Sequence, residues 1–315
     1  MLRIGVDAMG GDFAPVQVIL GAAEAVQQLS GLATIVLLGD ADKITGICRE
    51  NGIDPGIFFI YPCTQVVQMH EQPVIAYKQK PDSSIARGFE LLAKGELGAF
   101  ASAGNTGAML VGSVTTVGTL TGVFRPCISV EIPLLTGGNM LLLDVGFNTD
   151  SKADVLFQFA ELGTIYAKTI MGIHNPRVAL LNIGEEAEKG NMVAREAYQM
   201  MADSPDLNFV GNMEANHLYD GARADVLVCD GFVGNICLKQ SEALYSVCRQ
   251  LGLNRSFLKQ FNYEEYGGTP VLGVKAPVVI GHGASTPKAI TRMIYKAYEV
   301  AHSGLVVKIQ QQMLH

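Results

Sequence analysis

No stretch of this chain approaches the roughly 20 consecutive apolar residues that a membrane-spanning helix needs; the longest runs, such as MLLLDVGF, are far shorter. No CxxC pair occurs among the six cysteines (Cys48, Cys63, Cys127, Cys229, Cys237 and Cys248), which argues for buried free thiols over a disulfide framework or a zinc site. Positive charge is scarce: a formal net charge of -7 speaks against general affinity for nucleic acid or an anionic membrane. No Walker A loop, Rossmann GxGxxG, HExxH or GxSxG elbow appears, so the common nucleotide, zinc and serine-hydrolase chemistries lose their usual sequence support. No linker or shift in composition splits the chain, and no fixed repeat of 20 to 50 residues is found. The start, MLRIGVDAMGG, reads as strand and turn and lacks the pattern of a signal peptide. The expectation is a cytoplasmic protein of one domain, residues 1–315, with no metal and no cofactor.

What is present is one repeated design. Ala99 to Ala103 is a short run of small and apolar residues that ends in Gly104-Asn105-Thr106-Gly107 and passes at once into AMLVGSVTTVG. This spacing predicts strand, tight turn and helix, with Asn105 or Thr106 at the N-cap and unpaired first-turn N–H groups behind it. Such a turn is suited to an anion, because those donors and the positive end of the helix dipole point at the same place. The pattern recurs at Leu2–Asp7 before AMGGD, and at Met140–Asp144 before VGFNTD. It recurs again at Val178–Asn182 before IGEE, at Val226–Cys229 before DGFVGN, and at Val278–Ile280 before GHGAS. In an open α/β sheet these six loops would line the carboxyl edge, where ligands bind.

Between the loops the chain alternates strands and helices. A helix is predicted from Pro15 through Leu29, a strand at TIVLLGD, a helix over Asp40 to Gly52 and a strand at FFIYP. The polar run from Gln68 to Lys80 shows no periodicity and reads as an exposed loop. Asp82-Ser83-Ser84 is expected to cap a helix from Ile85 to Lys94. Cys127 to Leu134 is β-rich, and Thr136-Gly137-Gly138-Asn139 reads as a hairpin turn into Met140 to Asp144. Helices follow over Lys152 to Met171 and Asn191 to Met201, with an edge strand at Leu207 to Gly211 between the later elements. The predicted class is α/β: a three-layer α/β/α sandwich on a largely parallel, doubly wound sheet with an antiparallel excursion.

The segments DAMGGDFAP, DSSIARG, SAGNTGA, LLDVGFNTD, LLNIGEEAEKGN, CDGFVGN, EYGGTPVLGV and HGAS, in this order, resemble the phosphate acyltransferase family of bacterial phospholipid synthesis, the PlsX type. The resemblance covers nearly the whole chain. It implies transfer of a long-chain fatty acyl group from acyl carrier protein to inorganic phosphate, a homodimer, and a fold similar to phosphate acetyltransferases and isocitrate-type dehydrogenases. It also implies peripheral contact with the inner face of the membrane, expected to be weak here. The family's helical excursion is shortened in this chain, at about residues 239–266.

Phosphate near neutral pH is already a competent nucleophile, so positioning and electrostatics can carry its attack on a thioester. The expected phosphate-binding and substrate-binding residues are Gly104, Asn105, Thr106, Gly107, Asp144, Asn148, Asn182, Glu185 and Asn235, the last read as opening a second helix. Lys152 and Lys189 are candidates for added positive charge. His282 is the candidate acid or oxyanion donor, with Asp230 or Asp144 as its orienter. Arg249, Arg255 and Lys259 are expected to dock the acidic carrier, with Lys288, Arg292 and Lys296 as the alternative face. Alternative readings are an acyl-CoA:phosphate acyltransferase, a non-catalytic phosphate-binding regulator and, more remotely, a decarboxylating dehydrogenase.

Overall fold

A computed structural model describes every residue except 222, 254, 255 and 315; for 256, 259 and 263 it describes the backbone alone. In chain order the first elements are β1 (Leu2–Asp7), α1 (Val16–Gln28), β2 (Ala33–Gly39), α2 (Ala41–Glu50), β3 (Phe59–Pro62), α3 (Pro73–Gln79), α4 (Ser84–Ala93), β4 (Ala99–Ser102) and α5 (Thr106–Gly112). Next come β5 (Cys127–Pro133), β6 (Asn139–Leu143), α6 (Ala153–Thr169), β7 (Arg177–Asn182), α7 (Met192–Asp203), β8 (Asn208–Glu214) and β9 (Val226–Val228). The last are α8 (Gly231–Gln250), α9 (Ser256–Lys259), α10 (Tyr263–Tyr266), β10 (Thr269–Leu272), β11 (Val278–Ile280), α11 (Pro287–His302) and α12 (Leu305–Met313). The chain forms two compact units, one of Met1–Leu120 with Tyr263–Val306 and the other of Thr121–Asn262 with Val307–His315.

In the first unit the strands run β3-β2-β1-β4-β11-β10, all parallel to their neighbours except β10. Strand alternation decides what each face buries. Ile4, Val6, Ala8, Ala99, Ala101, Ala103 and Val279 form one core cluster with Val18, Ile19, Ala22 and Ala25 of α1 and with Ile290, Met293, Ile294 and Ala297 of α11. The small residues of β4 on this face leave room for two packed helices. Phe100, one position out of phase, meets the other side, where its ring lies edge-on to Phe89 of α4 at 5.1 Å. Burying each of these rings contributes about 1.5–3 kcal/mol.

The second unit has the order β5-β6-β9-β7-β8. β5 and β6 form the predicted antiparallel hairpin, and the other pairings are parallel, with β8 at the edge. Gly137 and Gly138 take φ of +88° and +76° in the hairpin turn, a region that side chains with a Cβ disfavour. The predicted class therefore holds: a mostly parallel α/β fold with antiparallel strands β5 and β10. Among the described residues no helix is long and apolar enough to cross a membrane.

The expected loop over Gln68 to Lys80 is partly a helix, α3. Gln72 accepts the Ile75 N–H at 2.7 Å and Pro73 stands at the first helical position, a start that needs no Ser, Thr, Asp or Asn. Ala76 is its one buried residue, too little for a readable stripe.

Candidate active site

β1, β4 and β11 are neighbours and parallel, so the loops that follow them share one edge of the first unit. They touch through the backbone. Asp12 N–H donates to the Gly283 carbonyl at 2.8 Å, and Gly281 N–H to the Ser102 carbonyl at 2.8 Å. Beneath them Asp7 is 1 % exposed and accepts from Ser102 Oγ at 2.7 Å and from Met9 N–H at 3.0 Å, while Ser102 Oγ accepts from Gly104 N–H at 2.9 Å. A Cβ on Gly10 would lie 2.8 Å from the Gly104 nitrogen, so glycine is needed where the two loops meet.

Burial raises the Asp7 carboxyl above its ordinary range, against the pull of hydrogen bonds from Ser84, Ser102 and Met9. An acid whose folded pKa is raised contributes stability that is complete below the unfolded value of about 3.9 and is lost as pH rises through the folded value. The stability of the parent relative to Asp7→Asn should therefore fall as pH rises above about 4. Urea unfolding of both at each pH checks this, and a gap that widens with pH contradicts it.

Asn105 caps α5 as predicted, accepting the Ala108 N–H at 3.0 Å. Its side-chain nitrogen donates to the carbonyls of Gln68, Met69 and Glu71 at 3.0, 3.2 and 3.0 Å. With its oxygen on the helix and two hydrogens shared among three carbonyls, the side chain is committed within the protein. These bonds hold the turn in place. The donors left to an anion are main-chain: Thr106 and Gly107 carry the first two N–H groups of the helix, which the intrahelical ladder does not use. Asn105→Ala should destabilise the protein by about 2 kcal/mol, from the lost cap and three orphaned carbonyls. Asn105→Asp keeps the cap acceptor but turns a buried carboxylate oxygen toward the three carbonyls, and should lower the melting temperature at least as much as alanine does.

His282 is half-buried in the loop after β11. The Ala284 N–H donates to its Nδ1 at 3.2 Å, and the carbonyl of His282 accepts from Ser285 N–H and Oγ. A ring nitrogen that accepts carries no proton, so the neutral tautomer places its N–H on Nε2.

The second unit repeats the buried aspartate. Asp144, just beyond β6, accepts from the N–H groups of Ile128, Phe147 and Asn148 and from Asn148 Nδ2, at 2.6 to 3.1 Å. Burial raises its carboxyl despite these donors. Asn148 also donates to the Pro126 carbonyl at 2.7 Å. Asp230 caps α8 by accepting the Val233 N–H at 2.8 Å. The helix therefore starts four residues before Asn235, which is corrected from helix opener to a second-turn residue that donates to the Val145 carbonyl at 3.2 Å. Sequence places Asp144, Asn148, Asp230 and Asn235 in two loops, and the structure brings these loops together. Gly231 N–H donates to the Asn148 carbonyl at 2.7 Å.

Asn182, Glu185 and Lys189 gather at the end of β7. Asn182 Nδ2 donates to the Lys189 carbonyl and to Asn212 Oδ1, both at 3.1 Å. Glu185 pairs with Arg223 and lies 3.7 Å from His217, and Lys189 lies 3.9 Å from Glu186. Lys152 is exposed at the N-cap position of α6. Arg249 is exposed near the end of α8, whereas Arg255 and the side chain of Lys259 lie outside the described residues. On the alternative docking face Lys288 pairs with Glu265 and Lys296 with Glu299. Sequence reasoning left Ser102 out of the site, although it is the only hydroxyl in the run Ala99 to Ala103.

The fold is that of the phosphotransacetylases. A phosphotransacetylase from Streptococcus pyogenes superposes with a TM-score of 0.68 at 18% identity, covering 96% of this chain and 94% of the other. Within that class the sequence is more specific. Residues 2–308 match the family described as "Fatty acid synthesis protein". A phosphate acyltransferase from Thermoanaerobacterium thermosaccharolyticum is 40% identical over 99% of this chain and 96% of its own length. One from Desulfitobacterium hafniense is also 40% identical, over 99% and 98%. The chain belongs to this phosphate acyltransferase family.

Proposed function

We propose that this chain transfers a long-chain fatty acyl group from acyl carrier protein to inorganic phosphate, releasing acyl phosphate and free carrier for phospholipid synthesis. The observation that carries this reading is identity of 40% along almost the full length of relatives named phosphate acyltransferase. A phosphate oxygen attacks the thioester carbon, the new C–O bond forms, and the C–S bond breaks to give the carrier thiolate, which takes up a proton. The main-chain donors of Thr106 and Gly107 hold phosphate, in a turn pre-set by Asn105 and by the Asp7–Ser102 pair. His282 Nε2–H donates a hydrogen bond to the developing oxyanion, and the carrier thiolate takes its proton from water. The partners are acyl carrier protein, phosphate and a second copy of the chain, with weak contact at the membrane surface.

The test is thiol release from long-chain acyl carrier protein and from the matching acyl-CoA, each with and without phosphate. Phosphate-dependent release from the carrier thioester, with no nucleotide or metal added, is expected. Preference for acyl-CoA moves the donor, and no release with phosphate retained by the protein favours a binding regulator.

A further inference from the structure

The polar loops of the first unit are bordered by apolar side chains that nothing in the unit covers. Met69 is 40 % exposed, Val74 55 %, Ile75 53 % and Phe13 55 %. They are attached directly to the candidate site. The loop that carries Met69 is pinned by Asn105, and a Cβ on Gly283, next to His282, would lie 2.8 Å from Met69 Cε. Pro73, which opens α3 ahead of Val74 and Ile75, packs against Gly107, where an added Cβ would lie 2.8 Å from Pro73 Cβ. Phe13 follows Asp12, whose N–H is bonded to the Gly283 carbonyl.

We propose that Met69, Val74, Ile75 and Phe13 form the strip on which the hydrocarbon chain of the acyl donor lies, an inference that rests on the acyl-transfer reading above. The loop interiors offer that chain only committed polar groups: Asp7, Ser102 and Asn105 are all hydrogen-bonded and buried. A hydrocarbon tail bonded to a carbonyl beside His282 leaves those groups within a few methylenes and gains most by meeting apolar side chains there. Four side chains fall far short of the roughly 20–30 residues a side of a stable protein interface, which favours a single chain as occupant. Methionine at the site-proximal end is unbranched and adapts to chains of different bend.

The experiment compares the parent with the double variant Met69→Ser, Val74→Ser in phosphate-dependent thiol release from hexadecanoyl and butanoyl carrier thioesters. The ratio of the two kcat/KM values should fall roughly 10- to 100-fold in the variant, mainly through KM for the long chain. An unaltered ratio in a folded variant overturns the strip. If the double variant does not fold, Ile75→Ser, a change on the solvent side of α3, is read for the same ratio. Leu135→Ser, in the hairpin of the second unit, should leave it unaltered. If the parent itself releases no thiol with phosphate, the acyl-transfer reading falls. The strip is then judged by calorimetric binding of hexadecanoate: weakening in the variant supports it, and equal binding overturns it.

Discussion

Asp144→Ala should destabilise the protein by about 3 kcal/mol or more, the largest stability loss expected of any single change in these loops. Four donors aim at this carboxylate, from Ile128, Phe147 and Asn148, and Asp144 is 0 % exposed, so alanine removes a buried acceptor from all four at once. The damage should spread to the start of α8. Gly234 packs so closely on the Asp144 carbonyl that Cβ is excluded there, and Gly231 is bonded to Asn148. Asp144→Asn keeps the volume and one acceptor, and should recover part of the loss. Chemical denaturation of the three proteins decides this; an Ala variant within about 1 kcal/mol of the parent would mean that the loop finds other acceptors.

His282→Ala should lower turnover about a hundred- to a thousandfold while the melting temperature stays close to that of the parent. The side chain is half-buried in a loop, and its Nδ1 accepts the Ala284 N–H, which is two residues away. Loss of an Nε2–H donor acts on the transition state, so kcat and kcat/KM should fall together with little change in KM. His282→Gln, whose amide supplies a donor of similar reach, should restore part of the rate. If Ala and Gln variants are equally slow, proton transfer is the ring's task; a rate near that of the parent removes His282 from the reaction.

Strands β1, β2, β4, β6, β7, β9 and β11 were readable because each is a short apolar run soon stopped by Asp, Asn or Gly, whereas β10, which holds Pro270, was not read as a strand; helix starts were readable where a small polar residue stands before the helix. Ser83, Asn105 and Asn191 all cap where their position indicates. α3 was missed because its cap is Gln72 and it buries a single alanine. Asn235 was misplaced because Asp230 and Asn235 are both good capping types, and only the geometry shows which one accepts the helical N–H. The rest of the site depends on distant partners. No local pattern tells that Asn105 Nδ2 is spent on carbonyls more than 30 residues upstream, or which His282 nitrogen holds the proton. Of the three residues first expected to dock the carrier, only Arg249 has a described side chain, and it is exposed.

The double duty of Asn105 has a consequence for motion. Its oxygen holds the first turn of α5 and its nitrogen holds the segment leading into α3, so neither can open alone without giving up a bond that serves the other. The two stretches should behave as one cooperative opening unit in native-state hydrogen exchange, with Ala108 and Ala76 amides becoming accessible at the same free energy. Anything that settles into the turn at Gly104 to Gly107 would then slow exchange in α3 as well.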